Sequence, residues 1–325
     1  MQLSTGGNYV NNEGSLLLGI NYHTLKKVFP NVEIVPGSST YFIASAAPLS
    51  LDYPSLLEAH QIQTTYVNPD YLDAGQILFD SDQLRERIEQ EKPLINKDLR
   101  PRLFFSSLTG LESQMGKHAL AVTGIISSVL FLLLWIAYPR IKSTMYMAGF
   151  TGAGIQIVLI MVMQSFYGFI YLVAPLMITV FMGGIVLGTM VWKRIWPEAS
   201  LHRLASLSCI MALVSASAFL FLRSGAPVQL ELAGQAILGL FNLVAGIVVG
   251  AVFGMSVNFR RKGSGNAPGI LFSADLTGAA LGTLVPVVFL LPLIGVLNTF
   301  ILFTGINVIN ALRLLAGRLK KRNHG

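Results

Sequence analysis

Asp275 stands where an acid is expensive. It lies near the start of the apolar run Gly269–Gly295, with Gly278 three residues on and Gly282 one turn beyond. A charge inside a bilayer costs on the order of 3 kcal/mol on insertion scales, so it normally faces a partner or a wet cavity. Two readings stay open. Asp275 is either hydrated or paired with Arg260, Arg261 or Lys262, or it contacts a cationic solute in a cavity. Gln156, a second polar group in an apolar run, joins it under the solute reading. Gln164, Asn242 and Asn307 are polar in the same way, and their expected role is hydrogen bonding between helices.

Other chemistry is excluded by residue type and spacing. The only cysteine is Cys209, and the five histidines never fall at metal-ligand spacing, so neither a disulfide framework nor a thiolate or histidine metal site is expected. Gly263-Ser264-Gly265-Asn266 lacks the Lys-Ser/Thr of a phosphate loop, and there is no G-x-S-x-G elbow for an acyl-transfer serine. Asp80, Asp82, Glu86, Glu89 and Glu91, with Arg85 and Arg87, read as a solvated helix face. The basic end RLLAGRLKKRNHG is a topology signal, with no nucleic acid as partner.

Composition fixes the setting of these residues. Of 325 residues 53% are hydrophobic and 12% charged, against about 25% charged in soluble domains. A lipid bilayer is the implied partner. Residues 1–118 carry nine Lys/Arg and thirteen Asp/Glu, net −4; the remainder carries fourteen and three, net +11. A mildly acidic segment, 1–117, therefore precedes a membrane block, 118–318, and a basic tail, 319–325. No basic region followed by an apolar core marks a signal peptide at the start.

In the first segment the pattern predicts a helix over Glu13–Phe29 with Leu17, Ile20, Leu25 and Val28 on one face. Strands follow at Val32–Val35 and Tyr41–Ala44 around the turn Pro36-Gly37-Ser38-Ser39, then helices near Tyr53–His60 and Ser81–Gln90. This resembles the tail of a doubly wound α/β unit. The Gly-rich first turn of such a unit is not found at Gly6-Gly7-Asn8-Tyr9, which no strand of useful length precedes.

Seven apolar runs reach the length that a bilayer core of about 30 Å demands: Ala119–Tyr138, Met145–Phe166, Gly168–Trp192, Leu204–Leu222, Leu232–Val257, Leu271–Leu293 and Asn298–Leu315. Trp135, Trp192 and Trp196 fall at their ends, where interfacial aromatics collect. Gly184 with Gly188, and Gly246 with Gly250 and Gly254, are spaced for close helix contact. Basic residues occupy alternate loops, which places those loops and the C-terminus in the cytoplasm and residues 1–118 on the outer face. The expected fold is mainly α: a bundle of about seven membrane helices preceded by an incomplete Rossmann-type α/β segment.

The order GGNYVNNE, TLKKVFPNVEIVPG, TYFIAS and INKDLRPRLFF, followed by GFTGAGIQIVLIMVMQSFYGFIY, FMGGIVLGT and FSADLTGAALGTLVPVVFLLPLIG, resembles the membrane-bound spermidine synthase-like proteins of bacteria. The likeness covers nearly the whole chain. It implies aminopropyl transfer from decarboxylated S-adenosylmethionine to a polyamine, in a bacterial cytoplasmic membrane. It also implies a place beside the polyamine pocket for Pro36 and Gly37. The family's glycine-rich cofactor loop and catalytic aspartate precede the matched region, so this chain is expected to hold no cofactor and no catalytic residue. It is expected to be inactive alone, with a missing N-terminal half or a homo-oligomeric copy as its protein partner. The alternative is a membrane transporter or small-solute binding module with a vestigial synthase-like segment.

Overall fold

The computed structural model describes residues 2–3, 12–37, 39–67, 73–97, 99, 102–103, 119–168, 170–196, 198–260 and 267–322. The chain divides into two compact units, one of residues 1–97 and 101–117, the other of residues 98–100 and 118–325.

The first unit is a small sheet with helices on it. Strand β1 (Gln2–Leu3) and strand β2 (Asn31–Val35) both pair antiparallel with β3 (Thr40–Ser45), giving the order β1–β3–β2. β1 and β2 therefore run in the same direction, and helix α1 (Asn12–Lys26) connects them. Alternation sorts the strands: Val32, Ile34 and Phe42 are buried with Leu18, Tyr22, Leu84 and Ile88, while Tyr41 and Ile43 point outward. Helix α2 (Tyr53–Ala59) begins on an Asp52 cap and α3 (Ala74–Gln90) on an Asp73 cap, each accepting a backbone N–H from three residues on.

Two expectations shift here. α1 ends at Lys26, so Val28 is 71% exposed, and the buried face runs through Leu18 and Tyr22 with Leu25 packed beside them. The acids of α3 are not all solvated. Glu91 accepts from Ser15 Oγ at 2.7 Å, Glu89 accepts from Tyr22 Oη at 3.2 Å, and Arg85 is ion-paired with Glu33 of β2.

The second unit is helical throughout its described residues: α4 (Ala119–Ala137), α5 (Arg140–Tyr167), α6 (Ile170–Ile195), α7 (Leu201–Arg223), α8 (Glu231–Arg260), α9 (Ala267–Val285) and α10 (Leu291–Arg322). A π-turn, Pro286–Leu290, links the last two. Gly295 interrupts α10 with φ 80° and ψ 173°, values that an L side chain resists. The freed Val296 N–H donates to the carbonyl of Leu99, a residue of this same unit. Five segments are long and apolar enough to cross a bilayer: Arg140–Tyr167, Leu172–Ile195, Leu201–Arg223, Leu232–Phe259 and Pro268–Ala316. Val122–Ala137 is a shorter apolar helix. The chain is a mainly helical membrane protein.

Glycines set the two closest helix pairs. On α6, a methyl at Gly184 would stand 2.5 Å from the Leu243 carbonyl oxygen of α8, and one at Gly188 2.0 Å from that of Ile247. In return a methyl at Gly246 would stand 2.4 Å from the Phe181 oxygen. On α9, a methyl at Gly278 would stand 2.0 Å from the Tyr146 oxygen of α5 and one at Gly282 2.2 Å from that of Phe150, while one at Gly149 would stand 2.4 Å from the Asp275 oxygen. Without a Cβ on these positions the backbones approach to carbonyl contact, which is how lipid-embedded helices adhere without a hydrophobic drive. The two interfaces share one pattern. Each has glycines four apart on one helix, and each has a glycine on the partner that faces the carbonyl three residues before the first of them.

α5 is the most enclosed helix, with every residue from Ser143 to Ile155 buried. Trp192, placed by sequence at the interface, is 3% exposed and lies against Gly254 of α8.

Candidate functional site

Polar side chains converge where α5, α7, α8 and α10 meet. Thr144, Ser208, Asn307 and Asn310 are all buried. With Ala148, Met211, Val248 and Val252 they border a cavity of about 10 Å³, room for one water-sized particle. Each commits one donor hydrogen within the protein. Thr144 Oγ1 donates to the Arg140 carbonyl at 2.8 Å, Ser208 Oγ to that of Leu204 at 3.2 Å, and Asn307 Nδ2 to that of Phe303 at 2.8 Å. Asn310 Nδ2 crosses from α10 to Ser208 Oγ on α7 at 3.0 Å. The two hydroxyls have only oxygen lone pairs left to offer the cavity, while each amide keeps one N–H beside its oxygen.

One turn past Asn310, Arg313 closes the same end of the bundle. Its guanidinium donates to the Trp135 carbonyl at 2.8 Å, Ser143 Oγ at 2.9 Å and the Tyr138 carbonyl at 3.4 Å. These bonds tie α10 to the α4–α5 connection, a task suited to the fork of a guanidinium.

The residues singled out from sequence are not gathered here. Asp275 sits on α9 against Gly149; its Oδ1 is fully enclosed and, among the described residues, has no hydrogen-bond partner. Pairing with Arg261 or Lys262 lies outside the described residues, as does the side chain of Arg260. Gln156 is half-buried on α5, two helical turns beyond Gly149. That is about 10 Å along the axis, so Asp275 and Gln156 lie at different depths and do not share a cavity wall. Pro36 and Gly37 occupy the β2–β3 turn of the other unit, where Gly37 is exposed and needs no positive φ. They do not border that unit's surface hollow, which is lined by Pro54, Leu57, Ile62, Thr64 and Val67 among others.

Of the polar residues expected to bond across helices, Asn242 does so, with Nδ2 2.6 Å from the Met177 carbonyl of α6. Asn307 bonds its own helix instead, and Gln164 is exposed. Asn310, Ser208 and Thr144 carried no signal as single residues in an apolar chain. No family model, curated protein or solved structure matches the chain. Geometry alone carries the reading of the site.

Proposed function

We propose that this chain is the C-terminal, membrane-embedded portion of a spermidine synthase-like protein of a bacterial cytoplasmic membrane, crossing the bilayer seven times. One observation supports the transferase half of that reading. β1 and β2 run in the same direction, are joined through α1, and hold an antiparallel strand between them. The edge of a doubly wound sheet that carries an antiparallel strand has the same arrangement, and the outward Tyr41 and Ile43 leave a second face for another layer. The chemistry in the family is attack of a polyamine amine on the carbon beside the sulfonium of decarboxylated S-adenosylmethionine. Pro36 and Gly37 keep only a scaffold role at the polyamine side. The purified chain is expected to form no spermidine from putrescine and decarboxylated S-adenosylmethionine; turnover above a boiled control would refute that.

Length supports seven crossings. Pro268–Ala316 holds 49 residues, roughly 70 Å of helix at 1.5 Å per residue, more than twice the bilayer core, and it is broken at Gly295. With the apolar α4 added, the C-terminus falls on the basic, cytoplasmic side and residues 1–118 on the outer side. An outer location separates that segment from a cytosolic adenosyl donor.

A second reading, a membrane transporter or small-solute binding module, is favoured by the twice-used glycine interface and the enclosed polar cavity. Under it, Asp275 and Gln156 remain candidates for contact with a cationic solute such as a polyamine.

A further inference from the structure

We infer that α5–α7 and α8–α10 are one three-helix unit built twice in opposite senses, and that the cavity between them is a dissociable station for one monovalent cation of sodium size. The inference rests on the transport reading and is independent of aminopropyl transfer.

The repeat is traced through contacts. Gly149 corresponds to Gly246, Gly278 to Gly184, Gly282 to Gly188, and the carbonyls of Tyr146 and Phe150 to those of Leu243 and Ile247. The sequence echoes it: Ala148-Gly149 and Ala245-Gly246, then Gly184-Ile-Val-Leu-Gly188-Thr189 and Gly278-Ala-Ala-Leu-Gly282-Thr283. Thus α5 matches α8 and α6 matches α9. Three chain reversals separate the members of each pair, so the copies are inverted. α7 and α10, the remaining members, pack on each other through Ser208 and Asn310.

The cavity is bounded by α5, α8, α7 and α10, the helices that the repeat exchanges, and therefore sits at the repeat interface. Inverted-repeat carriers hold coupling ions at that interface. The opposite end of the seam is not equivalent in content. There Phe241 takes the place of Thr144, and Thr151 and Ile155, both fully buried, take the places of Val248 and Val252. The seam holds a cavity near the basic end, and at the other end Phe241 and Ile155 are bulkier than the Thr144 and Val252 they replace.

Chemistry selects the occupant. The lining holds no charged side chain, which disfavours a divalent ion. The hydroxyl hydrogens of Thr144 and Ser208 go to backbone carbonyls, so those two oxygens, with the amide oxygens of Asn307 and Asn310, are the neutral ligands available to replace a cation's water. Arg313, one turn away and turned to carbonyls, opposes tight binding and keeps the site dissociable.

The test uses the full chain in phosphatidylethanolamine/phosphatidylglycerol nanodiscs with radiolabelled sodium. Bound label is expected to be displaced by sodium or lithium chloride and not by choline chloride. Asn310→Leu and Thr144→Val should each weaken binding about tenfold, while Gln164→Leu, at an exposed position, should leave it unchanged. Monodisperse size-exclusion profiles certify each variant as folded. Absence of displaceable label, which a structural water alone would give, overturns the proposal. So does binding undiminished in both Asn310→Leu and Thr144→Val. Uptake into proteoliposomes separates the two levels: specific binding without uptake keeps the station and removes the transport reading.

Discussion

Asn310 on α10 donates to Ser208 on α7 at 3.0 Å, and Ser208 donates in turn to its own Leu204 carbonyl. The hydroxyl is thus oriented by its helix before it accepts from a neighbour. This joins the last helix of each repeat. In membrane proteins such bonds average about 0.6 kcal/mol. Ser208→Ala should therefore cost roughly that amount in denaturant unfolding of the nanodisc-embedded chain. A cost beyond about 2 kcal/mol would show that Asn310 loses more than one partner.

Asp275 offers the reverse case. One carboxylate oxygen is enclosed without a partner among the described residues, an arrangement that costs on the order of 1–3 kcal/mol even before its charge is counted. Asp275→Asn keeps the shape and removes the charge. Its unfolding midpoint is expected to rise. If Asp275 serves a solute, uptake falls while stability rises, the trade seen where an acid is kept for function. A lowered midpoint would show that the carboxylate has a stabilising partner.

In the first unit, Lys26 Nζ donates to Tyr22 Oη at 3.0 Å and lies 3.6 Å from Glu89. The Tyr22 hydrogen bond holds the ammonium above its ordinary 10.5 against the opposing effect of burial, with lesser help from the Tyr22 and Glu89 charges. A raised pKa means the folded state holds this proton more tightly. The contribution is complete below pH 10.5 and is lost as pH rises through the raised value. Carbon-detected titration of labelled lysine should place the Lys26 midpoint above 10.5, and Tyr22→Phe should bring it back down. An unchanged midpoint in Tyr22→Phe would assign the shift to Glu89.

Crossing number decides the side of the first unit. Gln63 and Glu198 are exposed, and Cys209 is replaced by alanine to clear the background. With seven crossings, a membrane-impermeant maleimide added to intact cells should label Gln63→Cys at once and Glu198→Cys only after permeabilisation. Labelling of both from one side would require one crossing fewer or more.

Much of this architecture is legible in residue types. The apolar runs lie within α4 to α10, with ends displaced by a few residues, because hydropathy over a span is a sum that few substitutions disturb. Small-residue pairs announced close contact for the same reason: only glycine lets backbones touch. Partner choice was not legible. Spacing on Gly184 and Gly188 defines a face but does not say that Leu243 and Ile247 meet it. That information lay in the second G-x-x-L-G-T, at Gly278–Thr283, which shows its meaning only when the two copies are compared. Asn307 was expected to bond across helices and instead donates to Phe303 four residues back, a choice that a helix always offers a polar side chain. Asn310, three residues later, makes the crossing bond because α7 presents Ser208 opposite it.

The adjacent pair Gly183–Gly184 tests the close-contact argument within one turn of α6. A methyl on Gly184 would stand 2.5 Å from the Leu243 oxygen, whereas nothing lies within 4 Å of one on Gly183. Gly183→Ala should be neutral or stabilising by about 0.5–1 kcal/mol, since alanine loses less backbone freedom in a helix. Gly184→Ala must instead push α6 and α8 apart by several tenths of an ångström along their whole seam, with a cost of roughly 1–3 kcal/mol. Because α5–α9 repeats the interface, Gly278→Ala should behave like Gly184→Ala, and more severely, with its contact at 2.0 Å. Unfolding midpoints of the three variants in one lipid composition decide the matter. Equal midpoints for Gly183→Ala and Gly184→Ala would mean the helices are not held at carbonyl contact. A harmless Gly278→Ala beside a damaging Gly184→Ala would mean that the two copies, alike in sequence, do not carry the same mechanical load.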